Sequence, residues 1–85
     1  MASYRLLIKP SAVKELEAIP AKDRKRLVTR LERLATDPHP PGSEKLAGHE
    51  LYRVRQGNYR VLYSVHDREL VILVIKVGHR REVYR

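Results

Sequence analysis

Arginine recurs wherever this sequence could do chemistry. Arg53, Arg55 and Arg60 lie close together, and the segment GHRREVYR over 78–85 adds His79, Arg80, Arg81 and Tyr84. A guanidinium is permanently charged and presents paired donors, which suits the oxygens of a phosphate. Trp and Phe are absent, so any stacking on bases falls to Tyr, His or the arginine planes. Asp and Glu are not clustered as a two-metal nuclease requires. No Ser-His-Asp order or glycine-rich phosphate loop stands out. The chemistry left open is one in which the substrate brings its own nucleophile. RNA does so: its 2′-hydroxyl can attack the neighbouring phosphorus, giving a 2′,3′-cyclic phosphate and a 5′-hydroxyl end. A protein then has to align the attack, stabilise charge on the phosphorane and assist proton transfer. Arginine serves the second task well and the third poorly, because its pKa is too high for an ordinary base.

Composition supports a polyanionic partner. The 85 residues carry 18 Lys and Arg against 10 Asp and Glu, a formal charge of +8. Such a surplus on a short chain points to nucleic acid or to an acidic protein that neutralises it. Cysteine is absent, which excludes disulfides, thiolate metal sites and a thiol nucleophile, and fits a reducing compartment. Neither a cofactor nor a metal site is expected. Arg5 and Lys9 interrupt the opening MASYRLLIKP, so it does not read as a signal peptide, and no apolar run is long enough to span a membrane. The expectation is a cytoplasmic protein with a single domain over 1–85.

The elements that must position the arginines follow from periodicity. Tyr4–Ile8 reads as a strand. A first helix begins at Pro10-Ser11, with Ser11 as N-cap and Val13, Leu16 and Ile19 as its apolar stripe. Ile19-Pro20 breaks it, and Pro20 fits the first turn of a second helix. There Leu27, Val28, Leu31, Leu34 and Ala35 form one face, with Lys22, Arg24, Lys25, Arg26, Arg30 and Arg33 on the other. Asp37-Pro38 ends it, and DPHPPGSE reads as a stiff exposed loop. From Lys45 the pattern changes to strands at Leu51–Gln56, Tyr59–His66 and Leu70–Val77. Gly57-Asn58 predicts a two-residue type II′ hairpin turn, and Asp67–Glu69 the next turn. All four glycines fall outside the predicted helices and strands. LVILVIKV is apolar on both faces, which places it inside the sheet. The fold class is therefore α+β: an N-terminal strand, a two-helix hairpin and an antiparallel β-meander, with the helices on one sheet face.

A two-residue turn also fixes register. Gln56 then faces Tyr59, Arg55 faces Arg60, Val54 faces Val61, Arg53 faces Leu62 and Tyr52 faces Tyr63. Tyr52, Val54, Val61, Tyr63 and Val65 share the face suited to the helices. Arg53, Arg55 and Arg60 share the opposite face, where like charges on neighbouring strands repel. No acidic residue within either strand offsets them, so this face is suited to an anion. Arg80, Arg81 and Tyr84 follow the last strand and could complete its wall.

These residues also carry a family resemblance. PSAVKELEAIP, the KLAG turn, the hairpin LYRVRQGNYRVLYSV and the ending VIKVGHRREVY resemble the RelE-type toxins of the RelE/ParE superfamily, the toxin halves of toxin–antitoxin pairs. The resemblance implies a ribosome-dependent endoribonuclease that cleaves mRNA in the A site without metal. It implies that Arg53 and Arg55 occupy the family's two basic strand positions and that Arg60 binds the scissile phosphate. Arg80 would stabilise the transition state and protonate the leaving 5′-oxygen, Tyr84 would orient or stack on a nucleotide, and Lys45 would contact RNA backbone. The family's best-studied pattern has lysine where Arg53 and Arg55 stand, one of them a candidate base. Arginine keeps the charge and weakens the base. His79 is the nearest group with a suitable pKa, as base or as second phosphate donor. His39, His49 and His66 read as loop or turn residues and receive no role. The implied partners are a RelB-like antitoxin, the ribosome and mRNA, with no membrane. Two other readings share the basic surface: a ParE-like inhibitor of DNA gyrase, and an RNA-binding module without catalysis.

Overall fold

The computed structural model describes residues 3–46 and 50–79. In chain order the elements are β1 (Arg5–Ile8), α1 (Pro10–Glu17), α2 (Ala21–Leu34), β2 (Glu44–Lys45), β3 (Leu51–Gln56), β4 (Tyr59–His66) and β5 (Val71–His79). The five strands form one sheet in the order β1-β5-β4-β3-β2. β2 to β5 are antiparallel neighbours, and β1 joins β5 in parallel, Arg5 opposite Val71 and Ile8 opposite Val74. The α+β class and the single helical layer are as expected. The parallel seat of β1 follows from the helical crossover, which returns the chain to the same sheet.

Alternation along the strands sends Val54, Val61, Tyr63, Val65, Ile72, Val74 and Val77 to one face, where they meet Ala12, Leu16, Ile19, Leu27, Leu31 and Leu34. Both helices therefore cover that face, α1 over β5 and α2 over β1 and β3. Leu27, Leu31 and Leu34 are essentially fully buried, each contributing about 1.5–3 kcal/mol of burial. Val13 and Val28 belong to the apolar stripes that periodicity predicts, yet both are exposed; Ala12 takes the core position of α1 instead. Ser11 is not the N-cap. Pro10 already occupies the first helical position behind Lys9, whose extended backbone starts the helix with no side-chain cap. Pro restricts its predecessor to extended conformations and needs no N–H at that position. Ala35 is the C-cap of α2 rather than part of its face.

The β3–β4 hairpin has the predicted register throughout, from Gln56 opposite Tyr59 to Tyr52 opposite Tyr63. Gly57 has φ +61°, and Asn58 is not in the left-handed region, the combination a type II′ turn requires. Two expectations are corrected nearby. Glu44 and Lys45 form the short edge strand β2, so the proline-rich segment ends in the sheet and not in open loop. Strand β5 runs from Val71 to His79 and takes in Gly78, which is buried opposite Arg60.

A bulge interrupts the alternation of β5. Leu62 faces Lys76 while Tyr63 faces Val74, so Ile75 is an extra residue and alternation resets there. Beyond Val74, β1 has ended, and Glu15 of α1 covers the open edge of β5. Its Oε1 accepts from the Val77 N–H at 3.0 Å, and its Oε2 pairs with Lys76 Nζ at 2.9 Å. The proline-rich segment is pinned by a ring ladder. Tyr63 Oη donates to the Pro38 carbonyl at 2.8 Å, Tyr52 stacks on Tyr63, and His39 packs on Tyr52. Burial pushes the Tyr63 phenol up to about 12. No helix among the described residues is long and apolar enough to cross a membrane.

Candidate functional site

The face without helices is laid out in rows by the strand register. Arg55, Arg60 and Gly78 form one row across β3, β4 and β5. Glu44, Arg53, Leu62 and Lys76 form the next, and Leu51, Ser64, Leu73 and Leu7 the one after it. At the arginine end the surface sinks into a cleft of about 230 Å³ lined by Gly42, Glu44, Arg53, Val54, Arg55 and Arg60. The hairpin thus brings Arg53, Arg55 and Arg60 together, two of them directly opposite each other.

The three differ in setting. Arg60 is only 5% exposed, Arg53 is half-buried, and Arg55 is exposed. Enclosing a guanidinium carries a desolvation cost that its partners must offset. Arg53 Nη2 donates to Glu44 Oε2 at 3.1 Å across the β2–β3 pair. Sequence reasoning misses Glu44. A two-residue edge strand has no periodicity, and the only signal is its position seven residues ahead of Leu51. The repulsion between the strand arginines is therefore offset from outside the two strands.

Two expected members are not in this cleft. Lys45 pairs with Tyr52 and so takes the opposite parity from Glu44 and Arg53; its Nζ lies 3.9 Å from Glu50 Oε1. His79 faces Tyr59, with ring centroids 6.1 Å apart, and lines a separate groove with Glu15, Ile19 and Pro20. The bulge at Ile75 causes this. Unbroken alternation would have put His79 on the face of Leu73 and Arg60, whereas the reset puts it with Val77 on the helix side. Arg80, Arg81 and Tyr84 lie outside the described residues, as do His49 and the end of the KLAG turn. Among the described residues no group of three or more His, Asp or Glu is arranged to hold a metal ion.

The basic face of α2 is less uniform than its sequence. Arg24 donates to the carbonyls of Glu17 and Ile19 at 3.1 and 3.4 Å, closing the turn between the helices. Arg30 reaches the Pro41 carbonyl at 3.5 Å. Lys22, Lys25, Arg26 and Arg33 remain exposed.

A helical layer on one side of a mixed five-stranded sheet, with an arginine-lined cleft on the other, defines a small α+β domain. Comparison identifies the domain. Residues 6–84 match the family described as the ParE toxin of the parDE type II toxin–antitoxin system, and the chain belongs to that family. A putative toxin RelE1 from Methanocaldococcus jannaschii is 30% identical over 96% of this chain and 96% of its own length. The archaeal RelE of a RelE–RelB complex from Pyrococcus horikoshii is similar in structure, with TM-score 0.84, 34% identity and coverage of 94% of this chain and 98% of that one. The isolated Escherichia coli RelE toxin superposes with TM-score 0.81 at 31% identity, over 96% of this chain and 92% of its own. The chain is a RelE-type toxin of a type II toxin–antitoxin system.

Proposed function

We propose that this toxin is a ribosome-dependent endoribonuclease that cuts mRNA in the A site by 2′-hydroxyl attack. The observation that carries the reading is the cleft itself, lined by Arg53, Arg55 and Arg60 together with Glu44. Arg60 and Arg55 would grip the non-bridging oxygens of the scissile phosphate and take up the charge that develops on them. The 2′-oxygen bonds to phosphorus, the P–O5′ bond breaks, and the products are a 2′,3′-cyclic phosphate and a 5′-hydroxyl. Arginine is a poor acceptor for the 2′-proton. Glu44, tied to Arg53 at 3.1 Å, is the carboxylate on the cleft wall, and we assign it that proton. Arg80 is the proposed donor to the leaving 5′-oxygen, and Tyr84 the stacking platform. Arg81, His79 and Lys45 are left as contacts to RNA outside the reacting phosphate.

The partner in the cell is proposed to be a RelB-like antitoxin whose acidic residues neutralise the arginine cleft, with the ribosome and mRNA as targets. Primer extension on mRNA in programmed ribosomes tests the reading, with Arg80→Ala as control. Cuts inside the A-site codon that vanish in the variant are expected. Intact mRNA with folded, antitoxin-free protein would overturn it. The family match to ParE makes a gyrase supercoiling assay the next experiment in that event.

A further inference from the structure

Beyond the arginine cleft, the helix-free face carries polar groups that the cleavage chemistry does not use. Ser64 is 7% exposed and stands in an apolar row, between Leu51 on β3 and Leu73 on β5, with Leu7 beyond. Its Oγ lies 2.9 Å from Nε2 of His66, which is exposed one row further along β4. A hydroxyl inside an otherwise leucine-lined row needs a partner, and the imidazole supplies it, which fixes the ring over the row. The result is a flat apolar floor of Leu51, Leu62 and Leu73 with one hydrogen-bonding imidazole at its edge.

We propose that this floor and the Ser64–His66 pair form a subsite that reads the nucleobase next to the scissile phosphate. The inference rests on the cleavage reading above. Ser64 is four residues from Arg60 on the same strand and face, a separation of about 13 Å at the rise of a β-strand. A single strand held by its phosphate at Arg60 would pass over Leu62 and lay a neighbouring base on the leucine floor. Unpaired bases are recognised by apolar or aromatic platforms together with donors and acceptors at their edges. With Nε2 engaged by Ser64, His66 presents its Nδ1 to the base edge and Ser64 sets its orientation, making Ser64 a positioning residue and His66 the contact to the base.

The test is a set of mRNAs in programmed ribosomes, each A-site nucleotide varied in turn, cut by wild type, Ser64→Ala, His66→Ala and the double variant. At one codon position the ratio of rates for preferred and disfavoured bases should fall by roughly three- to tenfold, the worth of one neutral hydrogen bond. The loss should fall on the preferred base, with rates on the disfavoured bases within about threefold of wild type, and the double variant should lose no more selectivity than His66→Ala. Unchanged ratios at every position, a uniform loss of rate on all substrates, or a wild type with no base preference would each overturn the subsite alone. A wild type that cuts none of the panel would overturn the cleavage reading and the subsite with it.

Discussion

At the scale of the residue, the cleft separates stability from activity. Arg60 is nearly buried and directly opposite Arg55, and under the proposed function it grips the scissile phosphate. Arg60→Met keeps the apolar stem and removes the charge. Removing a single buried charge can leave whatever it pairs with uncompensated, so the fold has to be checked alongside activity. The expected outcome is a loss of cleavage by about 10²–10³-fold, typical for removing one preorganised donor, in a protein that circular dichroism shows to be folded. Cleavage at the wild-type rate would remove Arg60 from the site. Glu44 makes a sharper case, because Glu44→Gln keeps shape and a hydrogen bond to Arg53 while losing the proton acceptor. Single-turnover rates should fall by roughly 10²–10⁴-fold, the usual worth of a general base, with ribosome affinity unchanged. A rate unchanged at saturating ribosomes would show that Glu44 only holds Arg53.

At the scale of the element, what the sequence reveals and what it conceals divide along local and non-local lines. The hairpin is legible because Gly57-Asn58 fixes both turn and register, and three arginines on one face follow from parity alone. The edge strand β2 and the bulge at Ile75 are not, since each depends on a neighbouring strand. Val13 and Val28 show the same limit: helical periodicity gives a stripe, but the sheet decides which of its residues are covered. Glu15 is another long-range device, holding the edge of β5 through the Val77 N–H and Lys76. Glu15→Ala is expected to cost about 1–3 kcal/mol, since it strands a backbone donor. Glu15→Gln, which can still accept from Val77, should cost less. Urea denaturation ranks the two; equal losses would mean that the charge, not the backbone bond, matters. Tyr63 acts likewise on the proline-rich segment that carries Gly42 and Glu44 to the cleft. Its phenol is raised from 10.0 to about 12 by burial, so its folded pKa lies above its unfolded one. The stability it contributes is complete below pH 10 and is lost as pH rises from about 10 to 12. Wild type should therefore lose stability faster over that window than Tyr63→Phe, and parallel curves would contradict the linkage.

At the scale of the whole molecule, charge is divided between two surfaces with different tasks. Under the proposed function the cleft on the helix-free face grips the reacting phosphate, while Lys22, Lys25, Arg26 and Arg33 stand exposed on α2, on the other side of the sheet. Under the proposed function the α2 group meets structured RNA through phosphates without reading sequence. Arg24 and Arg30 do not belong to that group, because their guanidinium groups are spent on the carbonyls of Glu17, Ile19 and Pro41. Two populations of arginine on one helix can thus be told apart. Arg26→Gln with Arg33→Gln should leave the melting temperature unchanged and reduce the dependence of log affinity for the ribosome on log salt by about 1.4–1.8, some 0.7–0.9 for each phosphate no longer neutralised. The cleavage rate at saturating ribosomes should stay at the wild-type value, because neither residue touches the cleft. Arg24→Gln should do the reverse, lowering stability by about 0.5–1.5 kcal/mol through removal of its hydrogen bonds to the two carbonyls while leaving the salt slope intact. A double variant with the wild-type slope would return the α2 face to the role of a solvated surface and place all productive charge in the cleft.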